Sequence, residues 1–402
     1  MEPEAIYAAL LEADGMEDPY PLYAALHEHG SIMVAEPGLV LIPGYEVVRS
    51  VLADPEFGVD DAEVFDRGFP DWRDHPALDA QNLLSLNGAD HGRIRALLAG
   101  RFTRRRVQAL EPVVGALIDE LLEVMADRGA DGSPVDFMAD FAYALPVAVI
   151  CELLGVPDWD AGALRALGRS LTAVLEPEID DDVLAEGDAA AVTLAGMFAE
   201  VTADRRARPR DDLISELVAV ADSPDAPISR SELIQNLILL LIAGFECSAS
   251  LFGSGLRIVL TGQEAGDSLR SGSVAPDAFV EEVLRYESPV QDTGRRRRSP
   301  GEISGVAIET DDELVLLLGA ANRDPRRFAD PDAFRPHRTD SGSLSFGAGP
   351  HFCLGATLAR LEATMAFPRL LRRFPALAAA GQPQRRPGAT SRTFARMPVR
   401  IR

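Results

Sequence analysis

One cysteine lies in the run Phe346-Gly347-Ala348-Gly349-Pro350-His351-Phe352-Cys353-Leu354-Gly355. Glycines let a backbone turn sharply and approach something flat and bulky. Beyond Gly355 the apolar residues Leu358, Leu361 and Met365 recur at helical spacing, which predicts a helix starting close after Cys353. The dipole at a helix N-terminus favours a thiolate, the form that ligates metals. A single thiolate cannot complete a tetrahedral zinc site. It can be the one protein ligand of an iron whose in-plane positions are filled by a porphyrin. A cysteine taken alone is more often a small buried apolar residue. The glycines and His351 around Cys353 favour ligation instead.

The segment resembles the haem-binding loop of the cytochrome P-450 monooxygenases, Phe-Gly-x-Gly-x-His/Arg-x-Cys-x-Gly, at every fixed position. The resemblance implies haem b as cofactor, Cys353 as the iron ligand, and Phe346, His351 and Gly355 among the haem contacts. It also implies cations for the two haem propionates, and guanidinium groups suit carboxylates geometrically. His91 and Arg95 stand at the family's His-x-x-x-Arg spacing, on one side of an early helix, and Arg295 and His351 match two further family positions.

Glu282 and Arg285 are three residues apart, on one helical face. On a surface such a pair contributes little. Their place upstream of Cys353 matches the family's Glu-x-x-Arg motif, which implies a buried, structural network below the haem. The third member, an arginine near Pro331-Asp332-Ala333-Phe334, is met by Arg335, with His337 and Arg338 nearby.

On the oxygen side the family pattern is Ala/Gly-Gly-x-Asp/Glu-Thr-Thr/Ser. Ala243, Gly244, Glu246 and Ser248 fit it, but Cys247 occupies the threonine position. The family's hydroxyl helps protonate bound oxygen, and a thiol donates and accepts more weakly. Gly244 is expected to let the helix open there. Protons are expected from Glu246 through ordered water, with or without a substrate hydroxyl, while Ser248 is turned about 100° away. By resemblance, Leu240, Ala243, Val290, Asp292 and Phe394 line the substrate pocket, with Asp292 a candidate partner for a substrate hydroxyl or amine.

These residues require a scaffold of helices. Apolar periodicity predicts helices over 18–28, 91–109, 113–128, 145–154 and 189–208, and strands over 32–42, 306–308 and 314–317. The fold class is therefore mostly α with small β-sheets, the order resembles the cytochrome P-450 fold, and one domain spanning 1–402 is expected. Two punctuated stretches, 58–90 and 173–188, are candidate lids. The 402-residue chain carries a net charge of −24 without any lysine, which argues against nucleic acid as partner. Three cysteines do not suggest a disulfide framework. The most apolar window, 233–245, is too short to span a bilayer, so no membrane association and a cytoplasmic location are expected.

The resemblance implies oxygen insertion from O2 into a small molecule, by C–H hydroxylation or epoxidation, in tailoring a polyketide, peptide or terpenoid. Cys247 keeps open coupling, desaturation or ring formation, and a non-catalytic haem sensor is the alternative of another class. The chain lacks a flavin domain, so a ferredoxin and its reductase are the expected electron donors. They would dock on arginines among 101, 104, 105, 106, 360, 369, 372 and 373. The substrate is expected free or carried on a carrier protein.

Overall fold

The computed structural model of the chain describes residues 1–60, 71–79, 81–157, 159–340 and 342–402. A 32-residue helix, Arg230–Thr261, runs through its centre. A capping box starts it: Ser229 Oγ accepts the Glu232 N–H at 3.2 Å, and the Ser229 N–H donates to Glu232 Oε2 at 2.8 Å. The helix is apolar on nearly all sides, which requires neighbours all round. Helices Ala144–Leu154, Asp181–Ala207, Pro276–Tyr286 and Ala356–Arg373 pack against it. By length and composition this helix could cross a membrane, but 78% of its apolar window is buried inside the fold. At Gly255 a Cβ would stand 2.2 Å from Phe367 Cζ, so only glycine lets Ala356–Arg373 pack this closely.

A five-stranded sheet takes the order Met33–Glu36, Leu39–Ile42, Glu313–Leu316, Thr293–Arg297 and Phe57–Gly58. Leu39–Ile42 runs parallel to Glu313–Leu316 with Val40 opposite Leu314 and Ile42 opposite Leu316. Alternation sends Val40, Ile42, Leu314 and Leu316 into one apolar cluster and Leu41 and Val315 into another, so both faces are covered.

Several boundaries differ from the periodicity. The expected helix over 91–109 is two helices, Gly88–Ala99 and Arg104–Ala109, because Thr103 caps the second by accepting the Arg106 N–H at 3.4 Å. The helix expected from 189 begins at Asp181, where Asp180 Oδ1 accepts the Val183 N–H at 2.8 Å. The second candidate lid thus reduces to a short connector, 174–180, between Ala161–Ala173 and Asp181–Ala207. The strand over 32–42 is a hairpin turning at Gly38, which has φ +90°. In the first candidate lid, residues 61–70 and 80 lie outside the described residues.

Candidate active site

Cys353 sits where a glycine loop meets the start of Ala356–Arg373. Gly347 and Gly349 hold left-handed φ values of 69° and 68°, and a Cβ on Gly349 would stand 2.1 Å from Leu52 O. The Cys353 N–H donates to Phe346 O at 2.9 Å, closing the loop. Burial among protein atoms pushes the Cys353 thiol up, while the N–H groups of Gly355 and Ala356 and the charges of Arg360 and Arg95 pull it down. The residue is nonetheless exposed while its thiol is closely surrounded by protein atoms, so it opens onto an interior cleft.

The long helix lines the other side of that cleft. Within its buried stretch, Ala243 and Cys247 are exposed, one turn apart, and Leu240 completes the stripe at helical spacing. Burial first, then the neighbouring charges of Cys353 and Glu246, push the Cys247 thiol up to about 12. Cys247 and Cys353 therefore share the cleft, and Cys247 stays a protonated thiol. Gly244 does not open the helix, which runs unbroken past it. Its lack of a side chain is a packing requirement, since a Cβ would lie 2.7 Å from Ile150 Cγ1.

Glu246, one residue before Cys247, turns off the cleft stripe and is 5% exposed. Its Oε2 accepts from Arg386 Nη1 at 2.9 Å, while Oε1 is buried without a partner. Burial raises its pKa; Arg386, Arg165 and Arg169 oppose the rise. Ser248 is buried on the opposite flank of the stripe.

At one edge of the cleft, four basic side chains gather without an anion. The His91 and His351 rings stack at 4.0 Å, and His91 Nε2 is buried and unpartnered. Arg95 donates to Phe352 O at 2.5 Å. Arg295, 6% exposed, reaches only Thr293 Oγ1 at 3.1 Å and Gly294 O at 2.7 Å. Burial lowers Arg295 to about 10, and burial with His91, Arg295 and Arg95 nearby lowers His351 to about 3. Among the described residues, neither Arg95 nor Arg295 has a carboxylate partner. Two partly buried guanidinium cations lacking acids, with two imidazole N–H donors beside them, need an external anion, and the two carboxylates of a haem satisfy that need beside a cysteine ligand.

Glu282 and Arg285, 4% and 2% exposed, pair at 2.8 Å. Arg285 also donates to the carbonyls of Asn322, Pro331 and Ala333, at 3.0, 2.8 and 3.0 Å. The third guanidinium is Arg338, 5% exposed, with Nε 3.3 Å from Glu282 Oε1. Arg335 was the first expectation, but its side chain is 54% exposed and pairs with Asp330.

The remaining pocket expectations divide. Val290 is partly buried and bridged to Ser391. Asp292 accepts from Thr390 Oγ1 at 3.1 Å and lines a cavity of about 20 Å³ with Tyr7, Tyr23 and Leu317. Burial first, then Glu176 and Glu313, push it up to about 7. Phe394 is not brought to the cleft. It lies 2% exposed in the core, against Gly253, because the strand Phe394–Arg396 turns that ring inward. Arg338 is among the candidates that the sequence offers beside Arg335, but Arg386 is not, since nothing in local spacing ties it to a helix 140 positions away.

A sequence model described as Cytochrome P450 matches residues 276–401. The chain is 35% identical to cytochrome P450 monooxygenase PikC of Streptomyces venezuelae over 388 residues, covering 94% of this chain and 88% of the relative. It is 36% identical to 6-deoxyerythronolide B hydroxylase of Saccharopolyspora erythraea, covering 91% of each. The crystal structure of P450BioI with a fatty-acyl-ligated acyl carrier protein superimposes with TM-score 0.88 at 32% identity, covering 97% of this chain and 100% of that one.

Proposed function

This chain belongs to the cytochrome P450 family of haem-thiolate monooxygenases, and on that premise we propose a role for each group around the cleft. The cofactor is haem b, whose iron, when bound, activates molecular oxygen for insertion into a small molecule. Cys353 is the metal ligand: its loop fixes the sulfur, and two N–H groups with two arginines favour the thiolate. His91, Arg95, Arg295 and His351 hold the propionates, and their gathering without a carboxylate is the observation that carries this assignment. Phe346 and Gly355 shape the loop around the cofactor.

Glu246 is the proton source. Burial favours its neutral acid, Arg386 steadies one oxygen, and the unpartnered Oε1 is available to water. Cys247 excludes bulk water and supplies only a weak S–H donor, so the hydroxyl role passes to water or to a hydroxyl of the substrate. Leu240, Ala243 and Val290 offer a mostly apolar wall, which suits hydroxylation of a large apolar secondary metabolite. PikC and 6-deoxyerythronolide B hydroxylase support that class.

Cys247 supports a second reading, an atypical outcome such as coupling or ring formation. A solved relative catalyses C–S bond formation in chuangxinmycin biosynthesis, at 29% identity. P450BioI supports delivery on a carrier protein as a second substrate form. Electrons come from a ferredoxin. Titrating the haem-loaded protein with a metabolite library tests the function. Substrates should shift the haem spin state and yield products one oxygen heavier under 18O2, whereas products without added oxygen would establish the atypical outcome.

A further inference from the structure

We propose that the loop 386–391 links the connector 174–180 to Glu246, and that Arg386 is the positioning residue through which closure of the connector sets the proton source. The inference rests on Glu246 as that source.

Glu176, in the connector, reaches out to a different part of the chain. Its Oε2 accepts the N–H groups of Ala389 and Thr390 at 2.7 and 2.9 Å, and Oε1 accepts the Ser391 N–H at 3.3 Å. Three backbone donors on one carboxylate make a specific clasp. Gly388 allows it: φ is +154°, and a Cβ there would stand 2.6 Å from Glu176 Oε1. The path continues through Ser391, whose Oγ accepts from Arg386 Nη2 at 3.2 Å. Arg386 Nη1 then donates to Glu246 Oε2 at 2.9 Å. Hydrogen bonds therefore run without a gap from the connector to the carboxyl.

The far side of the loop is fixed. Thr390 O accepts the Gln291 N–H at 2.8 Å, Thr390 Oγ1 donates to Asp292 at 3.1 Å, and the Arg392 N–H donates to Pro289 O at 2.9 Å. The connector side is therefore the side that can let go. The helix leading into the connector also reaches the carboxyl, since a Cβ on its Gly168 would lie 3.2 Å from Glu246 Oε1. Displacing the connector withdraws the clasp and leaves Ser391 held from the Val290 side alone, which weakens its hold on one arm of Arg386, so Glu246 loses part of its fixed orientation. With the connector closed, Arg386 bridges Ser391 and Glu246 at once, and a donor held at two points is preorganised. Proton delivery is then tied to a closed cleft, which limits wasteful release of peroxide.

The test uses Glu176→Gln, Arg386→Gln, their double variant, Arg386→Lys and Glu246→Gln, each haem-loaded. Two quantities are read: peroxide released per oxygen consumed, and backbone amide exchange followed by mass spectrometry. Glu176→Gln and Arg386→Gln should each raise peroxide release several-fold, and the double variant should be no worse than the worse single one. Arg386→Lys keeps the charge but cannot span both partners, so it should recover only part of the effect. In amide exchange, Arg386→Gln should speed exchange within 174–180, and Glu176→Gln should speed exchange at 389–391. If Glu246→Gln leaves peroxide release unchanged, the proton-source reading fails, and this inference with it. If Glu246→Gln uncouples turnover while the Glu176 and Arg386 effects simply add, or Arg386→Gln leaves exchange in 174–180 unaltered, the linkage is wrong and the proton source stands.

Discussion

Arg338 Nε lies 3.3 Å from Glu282 Oε1, the same oxygen that accepts the Arg335 backbone N–H at 2.7 Å. One carboxylate thus binds Arg285 and Arg338 by their side chains and Arg335 by its main chain alone. The three positions should respond very differently to truncation. Arg285→Ala takes away the bidentate partner of this buried carboxylate and should cost roughly 3–5 kcal/mol, while Arg338→Ala, which leaves Arg285 in place, should cost less but still more than the exposed site. Arg335→Ala removes an exposed pair and should cost about 0–1 kcal/mol. Urea unfolding and haem absorbance per protein check this, and equal losses at 335 and 338 would refute the assignment.

Arg295 should show opposite effects in the apo and haem-loaded protein. Burial lowers its pKa to about 10, below its ordinary 12.5, so the charged form disfavours folding at every pH below that value. The penalty fades only as pH rises through 10. Arg295→Met should stabilise the apo protein by on the order of 1–3 kcal/mol near pH 7 while weakening haem retention. Thermal melting without haem and haem transfer to apomyoglobin measure the two halves.

Cys247→Thr restores a hydroxyl beside Glu246. Products formed per oxygen consumed should rise, with the spin-state response to substrate little changed. An unchanged ratio would show that position 247 does not limit proton delivery.

Of the arginines proposed for electron-donor docking, five are engaged. Arg101 and Arg106 pair with Glu216, Arg360 with Glu281, Arg369 with Asp119 and Arg373 with Glu123. Arg104, Arg105 and Arg372 are exposed, with no ion pair among the described residues. Charge reversal at these three should slow ferredoxin-driven turnover and flatten its salt dependence. Peroxide-driven turnover should be unaffected, and an equal loss in both assays would point to misfolding instead.

Glu362 lies on Ala356–Arg373, is 1% exposed and has Oε2 without a partner. Burial raises its pKa to about 8, so the folded chain holds a proton that the unfolded chain releases near 4.5. Stability should therefore fall as pH rises from about 4.5 to 8 and then level off. Glu362→Gln should remove that slope, gaining up to a few kcal/mol at pH 8 and almost nothing at pH 4.5. Chemical denaturation across this range measures the difference.

Cys353 and its loop were legible in the sequence because a turn, a ligand and a helix start occupy adjacent positions, where local spacing reports geometry directly. His91 with Arg95 and Glu282 with Arg285 were legible for the same reason, as helical spacing puts each pair on one face. The break at Gly100–Thr103 and the helix start at Asp181, eight residues before the periodicity places it, are not legible because single side-chain caps outweigh periodicity there. Contacts between distant segments were decided by the tertiary structure alone. It chose Arg338 over Arg335, turned Phe394 into the core, assigned Gly244 to packing, and placed Arg386 and Glu176 on the route to Glu246. Which of several nearby arginines meets a buried carboxylate depends on burial and direction, and these exist only once the helices have packed.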